Sequence, residues 1–206
     1  MRCVGTVVRG IRTPIIKEND DLATIVVDSL MAAKESEGFE FRDKDVVAIT
    51  EAVVGISEGN FATLDQIATD IKNKMHSDHL GIVFPILSRN RFAVLLSSMA
   101  RATKKITLMT SFPSDEVGND ILYREDLEKY NITTNDLITE EEYKEKFIHF
   151  KHLFTGVNMY EVYRDLVLKE GCEFEMVFSN NPTDILKYTK DVICCDIHSR
   201  FDTQKA

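Results

Sequence analysis

The chain lacks most of the patterns that would assign it a chemistry at a glance. It has no phosphate loop of the Gly-x-x-x-x-Gly-Lys type, no nucleophile elbow and no Cys/His pairing laid out for covalent catalysis. No apolar run can span a bilayer, the longest lying around residues 92–99, and no apolar leader follows Met1. A cytoplasmic protein without a membrane span is therefore expected. Positive charge is also scarce: 25 Lys and Arg stand against 34 Asp and Glu, a net charge of −9. That balance argues against sequence-independent nucleic-acid binding, which needs a basic face to neutralise phosphates. It leaves nucleotide binding open, because a local metal with backbone donors overrides the global field. The four cysteines, Cys3, Cys172, Cys194 and Cys195, have no metal-ligand spacing. Cys194 and Cys195 are neighbours on an expected strand and point to opposite faces, so buried reduced thiols are the expectation. There is no internal repeat and no low-complexity tract.

What is present is an ordinary globular composition, 44% hydrophobic and 29% charged over 206 residues, enough for one domain or two small subdomains. Thr6 to Ile11 reads as a first strand, followed by a Thr13-Pro14 turn. Asp20 or Asp21 should cap a helix burying Leu22, Ile25, Val26, Leu30 and Met31, with Gly38 as its stop. Val46 to Thr50 reads as a strand that Val53 and Val54 extend, with Gly55 and Gly59 in a loop. Thr63 and Gln66 form a capping box, as do Thr139 and Glu142. Residues 82–87 are strand-like and 90–103 mostly apolar helix. A helix from Asn158 to Gly171, a half-buried strand from Glu173 to Phe178 and a short helix after Asn181-Pro182 complete the pattern. The fold expected is α+β, with a mixed, largely antiparallel sheet flanked by helices, because no Gly-x-Gly-x-x-Gly turn follows the first strand.

Two acidic loops stand out. Residues 105–109 run out of an apolar strand into a segment carrying Asp115 and Asn119, and residues 191–195 run out into Asp196. Carboxylates held at strand ends can bind a hard divalent cation against phosphate; they are equally ordinary turn and cap residues. Arg89 and Arg91 flank a helix entrance and suit either an anion or solvent. His149 and His152 could share a helix face as metal ligands, but no third ligand lies nearby in sequence, which favours surface histidines.

The stretches RGIRTPIIKENDDL and DKDVVAITEAVVGISEGN, with the Asp115/Asn119 loop and VICCDIHSR, together resemble the coenzyme F-420 gamma-glutamyl ligase family. The resemblance implies an NTP-dependent, specifically GTP-dependent, ligase that adds L-glutamate to a small-molecule acid acceptor, a lactyl-phospho-deazaflavin, through an acyl phosphate with Mg²⁺ or Mn²⁺. It implies a homodimer, with no nucleic-acid or membrane partner. It places nucleotide contacts at Thr13, Pro14, Ile15, Ile16, Glu51, Ala52 and Asn119, the metal at Asp115 and Asp196, and Ile197 beside the second acid. It divides the chain into a nucleotide-binding core, 1–120, a polar helical insertion plus strand, 121–178, and the second acidic loop, 179–206. The family's Gly-rich nucleotide loop would lie after Ala206, so the chain reads as the N-terminal part of a longer protein. Ile56 stands where the family has a lysine and Ile197 where it has a threonine. A homologue that binds nucleotide or metabolite without turnover, or a structural fragment, are the alternatives.

Overall fold

The computed structural model describes residues 5–84, 86–87, 91–195 and 201–205, and divides into two compact units, 1–62 and 63–206.

The first unit holds helix α1, Leu22–Glu37, and helix α2, Glu51–Ser57. Asp21 caps α1 as expected: its carboxylate accepts from Thr24 N–H and Oγ–H, which holds its pKa below the ordinary value. Gly38 ends the helix in the left-handed region, φ 63°, donating its N–H to Lys34. The two strands expected at 6–11 and 46–50 do not form; both stretches lack regular structure and have no ladder partner among the described residues, and Val8 and Val46 are almost fully exposed. β-branched residues favour extended backbone, but a strand also needs a partner. Residues 53–55 are helical, inside α2, rather than strand and loop.

The second unit is built on one sheet of four parallel strands: β1, His79–Val83; β2, Lys105–Thr110; β3, Glu173–Phe178; and β4, Val192–Cys194. Spatial order is β3-β2-β1-β4. This overturns the expected antiparallel sheet. The missing glycine fingerprint reports on dinucleotide binding, not on strand direction. The informative signal was the alternation of strands with helical connections, which demands parallel crossovers. Helix α4, Phe92–Ala102, joins β1 to β2, while helices α5, Arg124–Lys129, α6, Glu140–Lys146, and α7, Met159–Lys169, lie between β2 and β3. A 3₁₀ turn, Pro182–Lys187, leads from β3 to β4.

One face of the sheet is apolar along its length; the other carries His79, Thr107 and Glu175 and is apolar at its carboxyl end. Leu80, Ile82, Ile106, Leu108, Met176 and Phe178 pack with α3, Leu64–Lys74, and with α4, α6 and α7. On the opposite face Val83, Met109 and Val177 pack against Ile185 of the 3₁₀ turn. Gly81 of β1 faces that turn: a Cβ there would lie 2.8 Å from Ile185 Cγ1 and 2.9 Å from Thr189 Cγ2. Both expected capping boxes form, at Thr63/Gln66 and Thr139/Glu142. Helix α8, Phe201–Lys205, ends the described chain. No helix among the described residues is long and apolar enough to cross a membrane.

Candidate functional site at the carboxyl edge of the sheet

Strand order decides where the second unit can bind a ligand. From β1 the chain steps outward to β2 and β3 on one side, then returns to place β4 on the other. The winding therefore reverses between β1 and β4, and the crevice at such a reversal is where open parallel sheets bind ligands. The loop after β2 reaches this edge.

Asp115 organises that loop. It is buried, and its carboxylate accepts four N–H groups. Oδ1 takes Val117 N at 3.0 Å and Asn119 N at 2.7 Å; Oδ2 takes Leu87 N at 2.9 Å and Asn119 Nδ2 at 2.8 Å. The turn is closed by Asp115 N donating to Asn119 O, 2.9 Å, with Gly118 at φ 88°. Leu87 follows β1, so a single carboxylate ties the exits of β1 and β2 together. Four donors fill the roughly four acceptor positions of a carboxylate. Asp115 in this geometry therefore does not fit direct ligation of a cation. Its expected partner, Asp196, lies outside the described residues, as do Ile197 and Arg89. Among the described residues no three acidic, His or Cys side chains gather as a metal site.

The same carboxylate fixes Asn119. Its backbone N–H and its Nδ2 both donate to Asp115. Asn119 borders a cavity of about 260 Å³, walled by Leu87, Ile121, Phe150, Val157 and Met159 and rimmed by Asp120, His152 and Thr155. His152 is not on a helix with His149. Its Nδ1 accepts from Thr155 N at 3.4 Å, while His149 Nε2 lies 2.8 Å from Asp126 Oδ2. The two histidines serve different partners.

Further polar groups at this edge carried no clear mark in the sequence. Asn180, just after β3, donates to Phe112 O at 2.8 Å and Thr134 O at 3.0 Å and accepts from Phe112 N at 3.3 Å. A cis peptide joins Phe112 to Pro113. Ser179 Oγ donates to Asp184 Oδ2 at 2.6 Å. The hydroxyls of Thr110 and Ser111 are buried without a hydrogen-bond partner among the described residues. An Asn after an apolar strand was the available signal; its partners lie too far along the chain to be read.

The remaining expected nucleotide residues belong to the first unit. Thr13 donates from Oγ1 to Pro14 O at 3.0 Å, Ile15 is exposed and Ile16 half-buried. Glu51 and Ala52 are exposed in the first turn of α2. Two of the recognised segments do meet there: Asn19 N donates to Ser57 O at 2.9 Å, and Gly59, φ 66°, lies so close to Glu18 that a Cβ would fall 2.6 Å from its carboxylate. Residues 9–12 and α1 border an open trough of about 1050 Å³, where Arg9 lies over the Phe39 ring at 4.9 Å.

The second unit is thus a helix-flanked parallel sheet with polar groups gathered at its carboxyl edge. The family model for F420-0:Gamma-glutamyl ligase matches residues 10–194, nearly the whole chain, and the protein belongs to that family. No curated protein and no solved structure matches it.

Proposed function

We propose that the chain is an amide-forming gamma-glutamyl ligase that uses GTP to join L-glutamate to a small carboxylic acid. The observation that carries this reading is the family match across residues 10–194, which takes in the N-terminal turn, α2 and the Asp115/Asn119 loop. In the reaction proposed, a carboxylate oxygen of the acceptor attacks the γ-phosphorus and releases nucleoside diphosphate. The amine of glutamate then attacks the acyl phosphate, inorganic phosphate leaves and the amine loses a proton. No protein nucleophile is required, in keeping with the lack of a nucleophile motif in the sequence; the work of the protein is positioning and charge stabilisation. A divalent cation, Mg²⁺ or Mn²⁺, would screen the phosphates when bound. Asp196 remains a proposed ligand for it, whereas Asp115 positions Asn119 and Leu87. Thr13, Pro14, Ile15, Ile16, Glu51, Ala52 and Asn119 are proposed to contact nucleotide, with Ile197 beside Asp196. A cytoplasmic homodimer completes the proposal.

A second reading, a homologue that binds nucleotide without turnover, draws on Ile56. It sits half-buried in α2 where the family carries a lysine, so one positive charge toward phosphate is missing. The test is release of inorganic phosphate from GTP with Mg²⁺, the lactyl-phospho-deazaflavin acceptor and L-glutamate. Release that requires both acceptor and glutamate supports the ligase. Nucleotide binding without glutamate-dependent release selects the second reading, and absence of nucleotide binding removes both.

A further inference from the structure

The loop after β2 is a two-legged arm, its legs running over residues 112–115 and 119–121. Ile121 N donates to Pro113 O at 2.9 Å, Ser114 and Asp120 form an antiparallel bridge, and Asp115 N donates to Asn119 O at 2.9 Å. The Asp115 carboxylate closes the tip. At the root, the second leg is fixed by Tyr143, whose hydroxyl donates to Ile121 O at 3.2 Å. The first leg leaves the sheet after Ser179 N donates to Thr110 O at 3.0 Å, just beyond the paired residues of β2 and β3. Two residues further on, at Phe112, a side chain takes the place of the ladder. Asn180 accepts Phe112 N–H at Oδ1, 3.3 Å, and donates from Nδ2 to Phe112 O, 2.8 Å, as a neighbouring strand would. Its Nδ2 also donates to Thr134 O at 3.0 Å, so both amide hydrogens are engaged. Asn180 itself is exposed, so replacing it removes hydrogen bonds without opening a cavity in the core.

We propose that Asn180 is a positioning residue: it fixes the root of the arm, and with it the place where Asn119 stands at the carboxyl edge. Opening the arm requires release of Phe112 from Asn180. The hydrogen bonds that Asp115 receives from the N–H groups of Leu87, Val117 and Asn119 then open with it as one local unit. Thr134 belongs to a turn closed by Thr133 N donating to Asp136 Oδ2 at 2.7 Å. The 121–178 segment therefore bears on both legs, through Tyr143 on one and through Thr134 and Asn180 on the other. The proposal rests on the ligase reading only for the ligand that Asn119 meets.

The test is amide hydrogen exchange of the full chain followed by NMR, with GTP affinity measured in parallel by calorimetry in the presence of Mg²⁺. In Asn180→Ala the amides of Leu87, Val117 and Asn119 should exchange about tenfold faster, the effect of losing roughly 1.4 kcal/mol of local hydrogen bonding. The amides of Ile82 and Leu108, within β1 and β2, should keep their protection. Asn180→Asp keeps an acceptor for Phe112 N–H but loses both donors; it should behave as Asn180→Ala does, and it replaces that variant if the alanine form does not fold. Asn181→Ala removes the cap on Thr183 N–H at the start of the 3₁₀ turn and should leave the arm unchanged. GTP affinity should fall about fivefold or more in Asn180→Ala and in Asn119→Ala alike. Unchanged exchange at Leu87, Val117 and Asn119 in a folded Asn180 variant overturns the proposal. So does faster exchange spread evenly over the sheet strands, which marks a general loss of stability. GTP binding that is weakened by Asn119→Ala but not by Asn180→Ala overturns it as well. If the arm loosens while the chain binds no GTP, or while neither variant weakens that binding, the nucleotide contact at Asn119 in the ligase reading falls and the positioning role stands.

Discussion

Asp115 has more to lose than an ordinary turn acid. A cap that accepts one hydrogen bond tolerates Asn, but here two oxygens serve four donors. An asparagine at this position would keep one acceptor oxygen and turn an NH₂ toward backbone N–H groups. Asp115→Asn and Asp115→Ala are both expected to destabilise the fold by about 2–4 kcal/mol, since buried donors are left unmatched. Chemical denaturation measures it; a cost below about 0.5 kcal/mol in both would show that the network carries no stability. The acid was legible in the sequence as a strand-end carboxylate. Its most distant partner was not, because the Leu87 N–H comes from another strand exit, brought near by the β1–β2 pairing. His79 carries a different dependence. Its Nε2 lies 2.8 Å from Thr107 Oγ1, and burial, with Lys105 nearby, lowers its pKa from 6.5. The unfolded chain therefore binds the proton more readily. The stability linked to this ring is full above about pH 6.5 and falls as pH drops toward the lowered folded value. Stability of wild type minus His79→Gln, followed from about pH 7.5 to 5, should decline on acidification; a flat difference would rule the linkage out.

At the scale of elements, Gly81 marks how tightly the 3₁₀ turn lies on the sheet. Gly81→Ala puts a methyl against Ile185 and Thr189, at 2.8 and 2.9 Å, so the turn must shift. A loss of about 1–3 kcal/mol is expected, the usual cost of overpacking. Urea unfolding would measure it, and a variant as stable as wild type would mean the turn yields freely. Helices and caps were the most legible elements, because Asp21, Thr63, Thr139 and Asn158 use local hydrogen bonds that sequence spacing encodes. The strands of the sheet were also legible, to within a few residues. Their direction was misread because it depends on what connects them, and the segments 6–11 and 46–50 because extended propensity does not supply a partner. Gly81 itself gave no signal, since its role depends on a turn far along the chain.

Across the molecule, burial is unevenly shared. Nearly all buried apolar side chains belong to residues 63–206, whereas the first unit buries only Ser57 among its described residues. Hydrophobic burial dominates folding energetics, so residues 63–206 expressed alone should unfold cooperatively, and residues 1–62 alone should not. Thermal circular dichroism of the two fragments decides this; a cooperative transition in 1–62 would contradict it.

The three-residue strand β4 has a consequence for synthesis. β1 pairs on one side with β2, at Leu80 and Ile106, and on the other with β4, at Ile82 and Ile193. A chain emerging from the ribosome therefore has β1, β2 and β3 available before residues 192–194. Until they arrive, one side of β1 is a bare edge with open N–H and C=O groups, the kind of template on which nascent chains associate. β4 closes that edge last, so premature termination before Asp191 would leave a sheet whose central strand is still adhesive.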